Sequence, residues 1–500
     1  MKKLFILFTA VLMSFGALAK GNLPRTIVTT DGEIDDVDTF IRMLLYTNEF
    51  HVEGLIYSSS MWHYKGDGKG TKFESEMPST KKIYGVRTDL RWAGVTWIQD
   101  LLDQYAKVYP NLLLHSKNYP TPDYLHSLVK VGNIDFEGEM EKITEGSEWI
   151  KNKLMDEIDN EEIYLQAWGG TNTIARALKS IEDENKNKPN WAAIKSRISK
   201  KSIIYTILDQ DATYKKYIGV NWPEIRVFYN ANQFWCMAYP WKRDVPKAFQ
   251  KYFEGTFMGP LINDHGPLLK KYYSYGDGQV QKGDDQPVYG EHVHGDLSKV
   301  KPAGMFKQFD FISEGDSPAF LNLMDTGLDN YRNPSFGGWG GRFVQSKENP
   351  LRYEDGDGAV DLNPETGKMD KNYPQTRWLE AMQLDFLARA EWCIKPYEAA
   401  NHAPWITVKE GTQLWANAGE KITLHVSAQD KDKNNVVQFK AWPYVEAGDG
   451  KAITLLEGNM VKVQIPSTAK KGDKYHVIVE GTDNGTPQLT RYRRVVISVM

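Results

Sequence analysis

Apolar residues near the start of the chain recur first with a strand period and then with a helical period. The run TIVTT, residues 26–30, is typical of a short buried strand. From Val37 to Leu45 the apolar residues are spaced i, i+3, i+4, i+7 and i+8, which predicts one face of an amphipathic helix. HVEGLIYSSS then predicts a second strand that ends in polar residues. Strand, helix and strand in this order indicate the start of a parallel α/β sheet.

The same alternation continues along the first half of the chain. Strands are predicted within EEIYLQAWGG, KSIIYTILDQD and EIRVFYNAN, and a helix is predicted within TNTIARALKSIED. In open α/β sheets, ligands bind beyond the carboxyl ends of the strands. We therefore expect one polar rim, formed by residues 31–36, 58–60, 169–172, 209–211 and 230–232.

The pattern changes toward the C-terminus. Residues 282–370 are rich in Gly, Pro, Asp and Asn and predict a long loop region, and TRWLEAMQLDFLARAEWCI then predicts a closing helix. From about residue 402, short alternating strands separated by turns such as EAGDG and TDNGTP predict an immunoglobulin-like β-sandwich. The predicted fold is an open, mostly parallel α/β sheet with flanking helices over residues 20–400, followed by a smaller, separable all-β sandwich over residues 401–500.

The first 19 residues predict a secretory signal peptide. Lys2 and Lys3 precede an apolar stretch, and Ala-Leu-Ala at residues 17–19 has the form of a cleavage site. No other apolar run is long enough to cross a bilayer, so we expect no membrane insertion. The mature protein is therefore expected to be exported, to the periplasm or to the outside of the cell.

Charge and cysteine content exclude some classes of protein. The formal charge of −4 and the lack of a basic run argue against nucleic acid as a partner. Cys236 and Cys393 are the two cysteines, too few for a disulfide framework, and whether they pair is left open. No pattern indicates an oligomeric state.

The stretch TTDGEIDDVDTF, which follows the first predicted strand, holds five acidic side chains in twelve residues. Asp38 lies one helical turn before Arg42, and we expect these two to form a solvent-exposed pair. Capping of the helix explains one carboxylate, Asp35 or Asp36, and leaves Asp31 unexplained. Because clustered oxygen ligands suit Ca²⁺, we predict one divalent cation here.

Several motifs resemble a known family. TTDGEIDD resembles the Asp-x-Asp-Pro-Gly-x-Asp-Asp motif of nucleoside hydrolases, and WGGTNTIARAL resembles their Gly-Pro-Leu-Thr-Asn-Ile-Ala segment. The resemblance extends over roughly residues 24–404 through three further stretches, EGDSPAFLNLMDTGL, GGWGGRF and QLDFLARAEWCIKPYEAANHAP. Together they resemble a family of exported nucleoside-hydrolase-like proteins, some of them labelled cellulose-binding proteins, that end in a β-sandwich.

The resemblance implies a Ca²⁺ site and its ligands. Matched position by position, it places Asp31 and Asp36 on the ion. It also implies a backbone carbonyl ligand at Asn172 and a late carboxylate ligand at Asp316, in EGDSP. The remaining carboxylate of the motif, Asp35, would hydrogen-bond sugar hydroxyls.

The activity implied by the resemblance is hydrolysis of an N- or O-glycosidic bond. Asp31 would act as general base toward a Ca²⁺-bound water that attacks an anomeric carbon. Gly315 stands before Asp316 where nucleoside hydrolases commonly have His, so Glu314 is the candidate proton donor to the leaving group. Glu33, at the loop tip, is expected to tune access or substrate choice. The alternative is a noncatalytic protein that binds cellulose or another glycan and keeps the ion to hold sugar hydroxyls.

Residues near the predicted rim are candidates for contacts with a sugar-containing small molecule or a glycan. Trp62, Trp168 and Trp339 offer aromatic faces for a sugar ring. Asn172 and Asn232 offer polar groups on the same rim. For any single Trp, a place in the core is the competing interpretation.

Other polar clusters have simpler interpretations. His265, in NDHGPL, is a candidate acid or a locally bonded histidine. His292 and His294 would share one face of a strand as a transition-metal pair, but the sequence indicates no third ligand. QDKDKNN and TDNGTPQL resemble the calcium-binding turns of cadherin-like sandwiches, although ordinary turn chemistry also explains them.

Overall fold

The structure is a computed structural model that describes residues 23–283, 294–300 and 304–500. The predicted signal peptide and His292 lie outside the described residues, so export and the histidine pair stay predictions. Within the described ranges, no helix combines the length and the apolar character needed to cross a membrane.

Helices and strands alternate through the larger, N-terminal part of the chain. Its strands are β1 (Arg25–Thr30), β2 (His51–Tyr57), β3 (Phe73–Glu74), β4 (Val86–Arg87), β5 (Val129–Val131), β6 (Ile163–Ala167), β7 (Ser202–Ile207), β8 (Arg226–Asn230), β9 (Val344–Gln345), β10 (Arg352–Glu354), β11 (Asp361–Asn363) and β12 (Lys368–Asp370). The α-helices are α1 (Ile34–Leu44), α2 (Pro78–Tyr84), α3 (Trp97–His115), α4 (Pro122–Ser127), α5 (Glu145–Met155), α6 (Asn172–Asn185), α7 (Trp191–Lys201), α8 (Gly219–Asn221), α9 (Trp241–Asp244), α10 (Lys247–Gln250), α11 (Gly255–Asp264), α12 (Ser317–Leu321), α13 (Tyr373–Thr376) and α14 (Leu379–Trp392). The C-terminal strands are β13 (Trp405–Val408), β14 (Gln413–Ala416), β15 (Lys421–Gln429), β16 (Gln438–Pro443), β17 (Ile453–Glu457), β18 (Met460–Gln464), β19 (Lys474–Thr482) and β20 (Thr490–Val499).

The main sheet has eight strands in the order β5-β2-β1-β6-β7-β8-β10-β9. Neighbouring strands run parallel, except that β9 is antiparallel to β10 at the edge. Strands β1, β6 and β7 are buried along their whole length, as expected for a parallel sheet covered on both faces. The predicted fold class, an open and mostly parallel α/β sheet, is confirmed.

Two apolar cores lie on the two faces of this sheet. Consecutive residues of a strand point to opposite faces, and Ile27 and Val28 of β1 accordingly belong to different core clusters. The cluster that contains Val28 also holds Cys236 and Cys393. Both cysteines are buried free thiols, which answers the question of whether they pair.

The strand order places a crevice beside β1. This strand lies between β2 and β6, so the chain proceeds in opposite directions on its two sides. Loops that follow such strands separate at their carboxyl ends, where ligands bind in open α/β sheets. The Trp168 N–H donates to the Thr29 carbonyl at 3.0 Å, which holds the turn after β6 beside the acidic loop after β1.

The C-terminal strands form two four-stranded sheets, β13-β15-β18-β17 and β14-β20-β19-β16. Their pairs are antiparallel apart from β14 and β20, which run parallel. Inward-facing residues from both sheets, such as Leu424 and Val477, share a core of their own. The predicted β-sandwich is therefore present.

This sandwich is joined to the larger domain by a buried interface. Tyr444 and Tyr492 belong to the apolar core of the larger domain. The buried guanidinium of Arg494 donates to the carbonyls of Leu328 at 2.8 Å and Gly337 at 2.9 Å. Burial lowers the pKa of Arg494 to about 10. These shared contacts argue against the predicted separability of the sandwich.

Arg494→Met should lower the free energy of unfolding of the whole chain by about 1–3 kcal/mol, because buried carbonyls of the larger domain lose their donor. Calorimetry should show one transition that moves as a unit. Lys440→Met, on β16 with a side chain 78% exposed, should change the free energy by less than about 0.5 kcal/mol. A shift confined to a separate sandwich transition would instead show that the two parts unfold independently.

Candidate functional site

A cavity of about 180 Å³ lies beyond the carboxyl ends of the strands around β1. One wall carries the acidic residues Glu33, Asp35, Asp36 and Asp316. The remaining walls are largely aromatic and apolar, with the aromatic residues Trp62, Trp168, Phe234, Trp235 and Tyr239. The cavity therefore combines carboxylates with ring faces.

The acidic loop folds tightly between β1 and α1. Gly32 has a φ of +81°, in the left-handed region that favours glycine. Helix α1 begins at Ile34, so Asp35 and Asp36 lie in its first turn, where the helix dipole favours carboxylates. Glu33 is the N-cap residue, yet its side chain makes no capping hydrogen bond. Its carboxylate therefore remains for the cavity.

Three carboxylates from two distant segments meet at the acidic wall. Asp35, Asp36 and Asp316 can each offer one oxygen so that all three atoms lie within 4.8 Å of one another. The Ser313 hydroxyl donates to Asp35 at 3.3 Å. Gly315 allows this close approach, because a Cβ there would lie 2.8 Å from Asp35 Oδ2.

Asp31 lies beside this group. Its backbone N–H donates to Asp36 Oδ1 at 3.3 Å, and the Thr30 hydroxyl donates to the same oxygen. A Cβ on Gly169 would lie 2.8 Å from Asp31 Cγ, so only glycine lets the turn after β6 come this close. Asp31 Oδ2 is buried and accepts no hydrogen bond from the described residues. A buried oxygen without a partner is unfavourable, and a cation or a bound water would satisfy it.

Burial and mutual repulsion raise the pKa of the clustered carboxyls. Burial is the largest cause for Asp35, Asp36 and Asp316, whose pKa values all lie well above the usual range. The next cause is Glu33 for Asp35, Asp31 for Asp36, and Asp35 for Asp316. A divalent cation would offset this repulsion, and carboxylate oxygens are the ligands that Ca²⁺ takes. The donor set therefore fits a hard cation.

Three side chains lie close to the Glu33 carboxylate. The Tyr239 hydroxyl donates to Glu33 Oε1 at 3.1 Å. Arg91 Nη1 lies 3.5 Å from the same oxygen, and His63 Nε2 lies 3.8 Å from Oε2. Burial, followed by repulsion from Arg91, lowers the pKa of His63. Arg91 is therefore the cationic partner of Glu33, and His63 is neutral at pH 7.

The predicted proton donor, Glu314, does not reach the cavity. Its carboxylate is fully buried and accepts hydrogen bonds from Arg42 at 3.0 Å and from the Tyr272 hydroxyl at 2.5 Å. A carboxylate held as an ion pair on the inner side of the loop cannot protonate a leaving group in the cavity. The assignment of Glu314 as leaving-group acid is therefore wrong.

The predicted exposed pair of Asp38 and Arg42 is also wrong. Both side chains are fully buried. Asp38 accepts the Tyr273 N–H at 2.8 Å, whereas Arg42 pairs with Glu314. The reason is that α1 is covered on both sides, so its polar residues find partners in the interior.

The two predicted asparagines have structural partners. Asn172 Nδ2 donates to Ser59 Oγ at 2.9 Å, and the Asn172 carbonyl lies in the first turn of α6, where carbonyls accept N–H groups one turn ahead. Asn232 donates to Asp355 at 3.2 Å and accepts from Lys371 at 3.1 Å. Neither lines the cavity, so the structure favours neither as a metal or substrate ligand.

Of the three tryptophans predicted to contact a sugar, two line the cavity and one does not. Trp62 and Trp168 line the cavity. Trp339 does not, because its ring is fully buried in the core with the Arg491 guanidinium 5.4 Å from the ring centre. The neighbouring glycines serve this packing, since a Cβ on Gly340 would lie 2.4 Å from Asn322 Cβ. The prediction that Trp339 contacts substrate is therefore wrong.

Several cavity residues lie just beyond the stretches that the sequence pattern indicates. Phe234, Trp235 and Tyr239 follow β8, within and after the short 3₁₀ turn Gln233–Met237. Gln210 lies within the predicted rim stretch 209–211, after β7, and donates to the Trp168 carbonyl at 2.6 Å. The rule that ligands bind beyond the carboxyl ends of strands correctly indicated these loops. The predicted stretches, however, end before the aromatic residues. His265, by contrast, is bonded locally to the Leu261 carbonyl at 3.0 Å.

The fold and the acidic crevice define a nucleoside-hydrolase-like α/β protein. Residues 25–343 match the family model described as "Cellulose-binding Sde182, nucleoside hydrolase-like domain". Residues 421–499 match that of "Cellulose-binding protein Sde0182, C-terminal domain". Because the first match spans more than half of the chain, the protein belongs to this family of cellulose-binding, nucleoside hydrolase-like proteins. The family predicted from the motifs is confirmed.

One solved structure agrees with this assignment. A nucleoside hydrolase-related hypothetical protein from Saccharophagus degradans that is associated with carbohydrate metabolism is 25% identical, with a TM-score of 0.69 over 96% of this chain and 100% of that one. The plant nucleoside hydrolase PpNRh1 is 10% identical over 72% of this chain and 98% of that one, and its TM-score of 0.30 is too low to carry an argument. No curated protein sequence matches the chain.

Proposed function

We propose that the cavity binds one sugar residue of a glycan or a small glycoside together with one divalent cation, Ca²⁺. The observation that carries this proposal is the meeting of Asp35, Asp36 and Asp316 in a cavity with aromatic walls. These three carboxylates would hold the ion, with Asp31 beside them. Because Ca²⁺ takes about six to eight oxygen ligands, places remain for water and sugar hydroxyls.

The other walls suit the apolar face of a sugar ring. The C–H groups of a sugar can pack on the aromatic rings of these walls. The rings are those of Trp62, Trp168, Phe234, Trp235 and Tyr239. The volume of about 180 Å³ is below the roughly 300–1,000 Å³ of pockets that enclose drug-sized ligands. A chain end or a small glycoside therefore fits better than the middle of a glycan chain.

The relatives support a carbohydrate as the ligand. The matching family is described as cellulose-binding, and the Saccharophagus degradans protein as associated with carbohydrate metabolism. The predominance of carboxylates at the acidic wall fits a ligand that presents hydroxyl groups, because a carboxylate only accepts hydrogen bonds.

Hydrolysis of an N- or O-glycosidic bond is the second candidate function. It is favoured by Asp31, whose buried Oδ2 lacks a hydrogen-bond donor among the described residues and is suited to accept a proton. A bound Ca²⁺ would lower the pKa of a coordinated water. With Glu314 held by Arg42, no acid for the leaving group is identified among the described residues, so sugar binding without turnover is the better-supported function.

Adding Ca²⁺ to chelator-treated protein should raise its melting temperature. A free Ca²⁺ concentration of 100 times Kd adds about 2.7 kcal/mol to the free energy of unfolding. Asp36→Asn should abolish this rise. Asn keeps the oxygen that accepts from Thr30 and Asp31 but removes one repelling charge, so the ion-free variant should melt at or above the wild type. Asp103→Asn, at a side chain 65% exposed, should respond to Ca²⁺ as the wild type does.

Calorimetric titration with glucose, galactose, xylose and cellobiose then tests the sugar. We expect binding of at least one of them in Ca²⁺, loss of that binding in chelator, and weaker binding in Trp62→Ala. A melting curve that Ca²⁺ leaves unchanged, or a full panel that fails to bind, would contradict the proposed function.

A further inference from the structure

We propose that this site selects neutral or amino sugars, excludes sugars that carry an acidic group, and owes this selectivity to Glu33. The inference rests on the proposed sugar-binding function and adds the charge class of the ligand. It is carried by the charges that line the cavity and by the way in which the Glu33 side chain is held.

The cavity wall has one sign of charge. Apart from tyrosine, its ionisable lining residues within the described ranges are Glu33, Asp35, Asp36 and Asp316. No lysine, arginine or histidine in that part of the chain lines the cavity. A ligand anion would therefore meet carboxylates with no basic side chain to receive it.

The bound cation does not reverse this sign. A bound divalent cation would keep the clustered carboxyls ionised. The negative charges would then number five, from Glu33, Asp31 and the three clustered carboxylates, against three positive charges from Arg91 and the cation. About two negative charges would therefore remain around a partly buried, largely aromatic space, where solvent screens charges less than it does at a surface. At the cation itself, three carboxylate ligands already exceed its double charge, so a ligand carboxylate is attracted less strongly there than to an ion with fewer carboxylate ligands.

Glu33 is the carboxylate in this wall that is not committed to the ion cluster. It occupies the N-cap of α1 without capping that helix. The Tyr239 hydroxyl at 3.1 Å and Arg91 at 3.5 Å both contact Oε1 and fix the side chain. Its carboxylate can accept a hydrogen bond from a sugar hydroxyl or an ammonium group, but it offers no donor to a ligand carboxylate.

The charge class can be tested by titrating wild-type protein in Ca²⁺ with two matched series. These are glucose, glucosamine and glucuronate, and galactose, galactosamine and galacturonate. We expect a neutral or amino sugar to bind at least about tenfold more tightly than its acidic counterpart. Equal or tighter binding of the acidic sugar would overturn this inference alone. Failure of all six sugars would overturn the inference, and if xylose and cellobiose also fail to bind, the proposed function falls with it.

Glu33→Gln tests the residue assignment. Gln keeps the size of the side chain and an oxygen acceptor for Tyr239, so the fold and the Ca²⁺-induced rise in melting temperature should persist. The preference over the acidic sugar should fall by about three- to tenfold, and amino sugars should bind more weakly than to the wild type. Glu348→Gln, at a surface side chain 83% exposed, should leave the preferences unchanged.

An unchanged preference in Glu33→Gln that still responds to Ca²⁺ would overturn the role of Glu33. If the variant does not fold, the wild-type series alone decides the charge class, and Glu33→Ala takes its place. That variant removes the carboxylate beside Tyr239 and Arg91 and should reduce the same preference; an unchanged preference there would equally overturn the role of Glu33.

Discussion

Arg42→Met should lower the free energy of unfolding by about 3–5 kcal/mol, although the helical pattern alone places this residue on an exposed face. The Arg42 guanidinium is fully buried and donates to Glu314 at 3.0 Å, to Gln383 at 2.8 Å and to the Met382 carbonyl at 2.9 Å. Removing it leaves the Glu314 carboxylate buried without a counter-ion. Denaturant unfolding of the purified protein measures the loss.

Two comparisons make this prediction specific. The double variant Arg42→Met, Glu314→Gln should recover part of the lost stability, because it removes the unpaired buried charge. Arg332→Met, at a surface arginine 67% exposed, should change stability by less than about 0.5 kcal/mol. A loss below about 1 kcal/mol for Arg42→Met is what a solvent-exposed pair would give, and it would refute the buried ion pair.

The Arg42–Glu314 pair also supports the acidic wall. Glu314 and Ser317 are joined by a hydrogen bond of 2.7 Å, and the segment between them carries Gly315 and Asp316. An anchored segment holds Asp316 near Asp35 and Asp36 despite their repulsion. We therefore attribute a positioning role to the residue that the sequence suggested as a proton donor.

The period and spacing of the apolar residues were enough to predict the sheet and its first helix. Strand β1 has a short apolar run because its two faces pack against two different cores, and α1 has a helical repeat of apolar residues because that face packs against one of them. The rule that sites lie at the carboxyl ends of strands then pointed to the correct edge of the sheet. Strands β9 and β10 have two and three residues, which is too short to show alternation.

The partners of individual side chains could not be predicted from spacing. Arg42 meets Met382 and Gln383 of α14, more than three hundred residues away, and no local pattern in α1 shows that this face is covered. Glu314 and Asp316 are two residues apart, yet one points to the core and the other to the cavity. Only the packing of the segment around Gly315 separates their roles.

Asp31→Asn separates sugar binding from hydrolysis. Asn keeps the oxygen that accepts the Glu33 N–H at 3.4 Å, so the loop and the three clustered carboxylates should stay in place. It removes the charge and the proton acceptor that a general base needs. If the site hydrolyses glycosides, turnover should fall by about 10²–10⁴, the usual contribution of general base catalysis, while sugar affinity in Ca²⁺ stays within about threefold.

Nitrophenyl glycosides are the suitable substrates for this test. Their leaving group needs no protonation, so a base can be detected even though no acid is identified in the part of the chain that the structure describes. Asp103→Asn provides the matched control, because it makes the same chemical change at an exposed side chain. Turnover retained in Asp31→Asn would remove Asp31 from the role of base. Equal loss of affinity and turnover would show that Asp31 belongs to the cation site. A wild type that binds sugar but cleaves none of these glycosides would support sugar binding without turnover, which the buried Arg42–Glu314 pair also favours.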